Sequence, residues 1–126
     1  MAQQPLNTYI TKAGIVSTSN QEIYKTKTGY TSIVLYAQVA NTGTGIGTVT
    51  FYYRRELRSQ AGITTTDTEI IKNAPIPDSD SLILLDGRLV LERTATKTDS
   101  IRLVGISTET PNHLKYTVSI LETLNQ

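Results

Sequence analysis

Cysteine and tryptophan are absent from this chain, and methionine, phenylalanine and histidine occur once each. Without cysteine there is no disulfide, no thiolate zinc site and no cysteine nucleophile. The single His113 leaves no second imidazole for a metal centre and removes most hydrolase constellations. Charge of one sign is lacking too: twelve Lys and Arg stand against eleven Asp and Glu, a formal charge of +1. A dedicated nucleic-acid or membrane-surface binder needs a basic excess, so neither class is expected. No apolar run approaches the roughly 20 residues that span a bilayer. Met1-Ala2-Gln3-Gln4-Pro5 has neither the basic start nor the hydrophobic stretch of a signal peptide, so a soluble, unprocessed chain is expected.

What the chain has in abundance is threonine, 21 of 126 residues, beside an apolar fraction of 38% and a charged fraction of 18%. β-Branched side chains lose χ1 freedom in a helix and pack well on a pleated sheet, so this composition biases the chain toward strands. The length suits one domain with one core. Residues 1–5 are polar and end at Pro5, which marks a short arm that orders only on binding; residues 6–126 form the domain.

Leu6 to Val16 alternates loosely and Glu22 to Thr26 follows the turn cluster Ser17-Thr18-Ser19-Asn20, giving two strands. In Ser32 to Val39 a period of two places Ile33, Leu35, Ala37 and Val39 on one face, with Val34 and Tyr36 on the other. Asn41 to Gly47 carries Gly43, Gly45 and Gly47 but lies between two strands. A dinucleotide loop needs a helix after it to receive the phosphates, so this is a connection. Thr48 to Leu57 turns Val49, Phe51 and Tyr53 inward and Tyr52 and Arg54 outward, and a hairpin through Ser59 to Gly62 leads into Ile63 to Lys72. Pro75 and Pro77 donate no ladder hydrogen bonds, so that segment lies along an edge or crosses between sheets. Ser81 to Leu85 and Arg88 to Leu91 flank Asp86-Gly87, which predicts a two-residue type I′ hairpin. Ile101 to Ile106 and Leu114 to Leu124 complete the set, with a turn at Thr110-Pro111-Asn112. The expectation is an all-β chain, a single antiparallel β-sandwich of jelly-roll type with eight to nine strands. Its predicted core is Ile33, Leu35, Val49, Phe51, Leu84, Leu89, Leu103, Val118 and Ile120.

Chemistry is sparse. His113 reads as a surface residue in a turn. Asp78-Ser79-Asp80 lacks the remaining oxygen ligands of a calcium loop, and no pair of carboxylates stands out at glycosidase spacing. No catalytic residue, metal ligand or cofactor is therefore expected. Arg54, Arg55 and Arg58 beside Tyr52 and Tyr53 are the one basic and aromatic concentration. Arg54 and Arg55 point to opposite faces of a strand, so an interface would draw on Tyr52, Arg54 and Arg58. Tyr9 and Ile10, just after the arm, supply apolar anchors.

A series of segments resembles a group of small virion structural proteins of tailed phages, common in marine and cyanobacterial phages. They are Ile23-Tyr24, Gly29, Thr31 to Leu35, Val39-Ala40-Asn41, Val49-Thr50-Phe51, Ile70 to Pro77, Ser81 to Glu92, Asp99 to Leu103 and Val118 to Glu122. Together they cover about residues 22–122 in order. Thr94 to Thr98 departs from the pattern, where the family has a shorter, Gly-containing turn. The matching motifs describe a scaffold and carry over no functional residue. The resemblance implies a non-enzymatic component of the virion, assembled in the host cytoplasm, foremost a capsid decoration or cement protein bound to the major capsid protein. Neck, collar, baseplate or tail-fibre attachment pieces are alternatives within that group, and a receptor- or carbohydrate-binding sandwich is the alternative outside it. Exposed sheet edges favour a homo-oligomer, most simply a trimer.

Overall fold

The computed structural model describes residues 7–107 and 113–125, in which eight strands account for almost all regular structure. They are β1 (Asn7–Ile15), β2 (Gln21–Lys25), β3 (Tyr30–Asn41), β4 (Gly47–Ser59), β5 (Gly62–Ile76), β6 (Ser81–Leu91), β7 (Lys97–Ser107) and β8 (Leu114–Leu124). One sheet has the order β1-β8-β3-β6 and the other β2-β7-β4-β5, every pairing antiparallel. Only β4 and β5 are joined within a sheet, through a two-residue turn that pairs Ser59 with Gly62. Every other connection crosses from one sheet to the other, the winding of an eight-stranded jelly roll. The arm at residues 1–5 and the turn at residues 110–112 lie outside the described residues.

The inner faces of the two sheets meet in one core, in which Val34, Val39, Val49, Phe51, Ile76, Leu91, Ile101, Leu103, Val118 and Ile120 are essentially inaccessible. Alternation along the strands puts them there: Val49 and Phe51 on β4, Ile101 and Leu103 on β7, Val118 and Ile120 on β8. The proline segment behaves as its missing donors require. Pro75 sits near the end of β5, the edge strand of its sheet, and the chain then crosses to β6.

Two sequence expectations fail for one physical reason. On β3, Ile33 pairs with Leu121 and Val34 with Ile120, but Tyr36 pairs with Ser119, leaving Leu35 as an extra residue. This β-bulge reverses the alternation. Ser32 and Val34 face the core before it, Ala37, Val39 and Asn41 after it. Ile33 and Leu35 are therefore only half-buried and do not belong to the core, although Ala37 and Val39 do. On β6, Gly87 and Arg88 lie opposite that same Leu35, between the pairs Val34 with Leu89 and Tyr36 with Asp86. Asp86-Gly87 is thus a bulge inside one continuous strand and not a hairpin, which reduces the count to eight. A type I′ turn needs positive φ at both central residues, and here only Gly87 has it, at 148°. Leu84 is buried as expected, and Leu89 is half-buried against the edge of the core.

Candidate interaction surfaces

Two buried carboxylates lie between the sheets, and both are occupied by structural partners. The Asp99 side chain is inaccessible and takes a bidentate contact from Arg55, Nε to Oδ1 at 2.9 Å and Nη2 to Oδ2 at 3.0 Å, while the Glu92 amide donates to Oδ2 at 2.9 Å. Burial pushes the Asp99 carboxyl up, but Arg55, the Glu92 amide and the Tyr53 hydroxyl together hold it below the usual carboxylate range. Burial and the bond to Asp99 push the Tyr53 phenol up to about 12. Glu122, also buried, accepts from the Tyr24 hydroxyl at 2.5 Å and from Lys27 Nζ at 3.2 Å, and Ser32 Oγ stands 2.7 Å from the same hydroxyl. Burial, then the bond to Glu122, raises the Tyr24 phenol far above its ordinary value. These groups tie strands across the sandwich.

His113 and the Asp78 to Asp80 turn likewise serve the backbone. The His113 carbonyl accepts from the Thr42 amide and hydroxyl, and Asp80 Oδ1 accepts from the Ser81 amide at 2.7 Å.

The outward face of the β2-β7-β4-β5 sheet is a charged lattice. Register aligns Glu22, Arg102, Tyr52 and Glu69 in one row and Lys25, Ser100, Arg54 and Asp67 in the next. Arg54 is clamped by Asp67, Nε to Oδ1 at 2.6 Å and Nη2 to Oδ2 at 2.8 Å, and that contact first of all holds the Asp67 carboxyl below its usual range. Lys25 bridges to Glu22 at 3.5 Å and Glu56 at 4.0 Å, and Arg102 reaches Glu22 at 3.7 Å. Tyr52 is half-buried in this lattice. Arg58 lies beyond it, in an open cavity of about 440 Å³ also lined by Glu56, Ile63, Arg93 and Thr96.

The outward face of the β1-β8-β3-β6 sheet is different in kind. Its rows, read from the register, are Tyr9-Leu121-Ile33-Val90, then Thr11-Ser119-Tyr36-Asp86, then Ala13-Thr117-Gln38-Ile83, then Ile15-Lys115-Ala40-Ser81. The first row is apolar across the whole sheet, with Tyr9 74% and Val90 49% exposed at its two ends. Among these sixteen positions only Asp86 and Lys115 are charged, and neither lies in the apolar row. Ile10, one residue after Tyr9, turns inward opposite Ile120 and packs on the core.

The five residues singled out in the sequence are therefore not brought together. Tyr9 and Ile10 belong to one sheet, on opposite faces, and Tyr52, Arg54 and Arg58 belong to the other. Sequence reading missed Leu121, Ile33 and Val90. Their signal is an apolar residue at an outward position on three strands, and it becomes a row only once register is known.

No family model and no curated protein matches the chain. Among solved structures, the VP2 subviral particle of infectious bursal disease virus is similar at a TM-score of 0.50 and 9% identity, over 94% of this chain and 32% of that one. A chain in the structure of the Gx strain of the same virus gives 0.49 at 8% identity, over 98% and 34%. The chain spans about a third of the length of the chains it matches. These structures are components of virus particles and not of tailed phages, and at this identity the likeness is one of fold: an antiparallel jelly-roll sandwich.

Proposed function

We propose that this chain is a non-enzymatic structural component of a virion, acting as a capsid decoration or cement protein that stabilises the head by bridging neighbouring subunits. The observation that carries this reading is the strand order β1-β8-β3-β6 and β2-β7-β4-β5, a jelly roll in which the chain overlays a virus-particle protein over 94% of its length. The chemistry agrees with it. The buried carboxylates Asp99 and Glu122 are held by Arg55 and Lys27 in pairs that fasten strands, and on the outward face of the second sheet Arg54 is paired with Asp67 and Arg102 with Glu22. Its partners in this reading are the major capsid protein and further copies of itself, a trimer being the simplest ring that covers the strand edges β1, β6, β2 and β5. Tyr52, Arg54 and Arg58 offer side chains for the capsid contact. Each contact can be weak, because a repeated clamp gains through effective concentration.

The test is a comparison of particles assembled with and without this protein. Loss of resistance to heat or osmotic shock with capsid geometry retained is the expected result. Particles that stay equally robust but fail to attach to cells would replace the decoration role by a neck, baseplate or fibre role. A second reading, a receptor- or carbohydrate-binding sandwich, rests on the open cavity of Arg58, Arg93 and threonine hydroxyls. It is tested by glycan binding to the isolated chain and by its loss in Arg58→Ala.

A further inference from the structure

We propose that the outward face of the β1-β8-β3-β6 sheet is a self-association surface on which a second copy of this chain packs face to face across a two-fold axis. The proposal deepens the structural-component reading by naming one of its contacts. Its basis is the apolar row Tyr9-Leu121-Ile33-Val90, which crosses all four strands without interruption. Single exposed apolar residues are ordinary on protein surfaces, whereas a continuous row rimmed by hydroxyl and amide residues marks a contact. Threonine, serine and glutamine supply that rim at Thr11, Ser119, Thr117 and Gln38.

Three features select a second copy as the occupant. The first is charge. The opposite sheet carries a dense lattice of both signs, while this face carries Asp86 and Lys115 among its sixteen paired outward positions and Arg88 at the bulge beside Val90. These few charges stand off the apolar row and form no patch of one sign, so a strongly charged partner is not matched and a face of the same sparse charge is the complementary one.

The second is size. A two-fold axis parallel to the strands and passing between Leu121 and Ile33 maps the row onto itself reversed. Tyr9 then opposes the second copy's Val90, and Leu121 opposes its Ile33. The largest side chain of the row meets the smallest, so the gap between the two sheets is filled evenly along its length, at the spacing of about 10 Å usual for packed sheets.

The third is area. Four strands about 4.8 Å apart and a face about 30 Å long project to roughly 600 Å² on each copy, or about 1,200 Å² in all, the lower bound for a specific interface.

The experiment is sedimentation of the purified full chain across micromolar concentrations, beside Val90→Glu and Tyr9→Glu. Both residues are exposed enough that a charge there leaves the core untouched. Each substitution is expected to halve the sedimenting mass, from dimer to monomer, or from hexamer to trimer if a ring forms as well. A wild-type chain that sediments as a monomer throughout, or a mass unchanged in both variants, overturns the proposal. The chain has no cysteine, so a Tyr9→Cys and Val90→Cys double variant treated with a short bismaleimide reports the geometry directly. Cross-linked pairs are expected, and cross-links from Tyr9→Cys alone in equal yield would overturn the axis along the strands. A chain found in particles yet monomeric by sedimentation refutes this contact and leaves the structural role standing. A dimer absent from particles does the reverse.

Discussion

Replacing Asp99 by asparagine removes the charge at the centre of the most heavily bonded buried group in the sandwich. Asp99 accepts two bonds from Arg55, one from the Glu92 amide and one from Tyr53, with its side chain wholly inaccessible. An asparagine of the same shape turns one acceptor into a donor and points it at guanidinium or amide hydrogens. Breaking a buried ion pair by removing one partner costs about 3–5 kcal/mol. Arg55 remains 32% exposed and can be partly rehydrated, which lowers the expected cost to about 2–3 kcal/mol. That is a large share of a total stability of about 5–15 kcal/mol.

The pH dependence follows from the direction of the shift. The folded-state carboxyl titrates below its unfolded value. Its contribution is therefore fully present above the unfolded pKa of about 4, and it is lost as pH falls through the lower folded value. Urea unfolding of the native chain and Asp99→Asn should differ by about 2–3 kcal/mol at pH 7. The gap should narrow progressively below about pH 4 as the native carboxyl takes up its proton. A gap of the same size at pH 7 and pH 2.5 would refute the reasoning, since the cost would then come from shape and not from charge. An Arg55→Met, Asp99→Leu double variant should recover most of the loss, because neither charge is left unpaired.

Other outcomes follow from the bulge and the buried phenols. Val34→Ala should cost about 1–2 kcal/mol in denaturant unfolding and Ile33→Ala markedly less, the reverse of what unbroken alternation predicts; equal costs would argue against the bulge at Leu35. Gly87→Val should lower stability by roughly 1 kcal/mol or more through its backbone at φ 148°, since a new Cβ meets nothing within 4 Å; an unchanged midpoint would refute that strain. In a spectrophotometric titration of the seven tyrosines, Tyr53 should ionise near pH 12 and Tyr24 only as the chain unfolds, and seven phenols titrating together near 10 would contradict both burials.

The residues by themselves determine that this chain is all-β, because threonine content and a period of two are local properties. The hairpin of β4 and β5 was legible in the same way, as was the inward face of Val49, Phe51 and Tyr53, since turn chemistry and alternation act within a few residues. Proline placed its strand at an edge for want of a donor. The bulges were not legible. An extra residue such as Leu35 leaves no mark in composition, and a glycine with positive φ serves a bulge as well as a turn, so Asp86-Gly87 read equally well as a hairpin. Only the partner strands decide between the two, and with them which of Ile33 and Val34 is buried. The same holds for Arg55 with Asp99, 44 residues apart, and Tyr24 with Glu122, 98 apart. The apolar row on the outward face of the β1-β8-β3-β6 sheet draws one residue from each of four strands. Contacts of that kind belong to the register of the folded sheet, which long-range pairing sets and no local window contains.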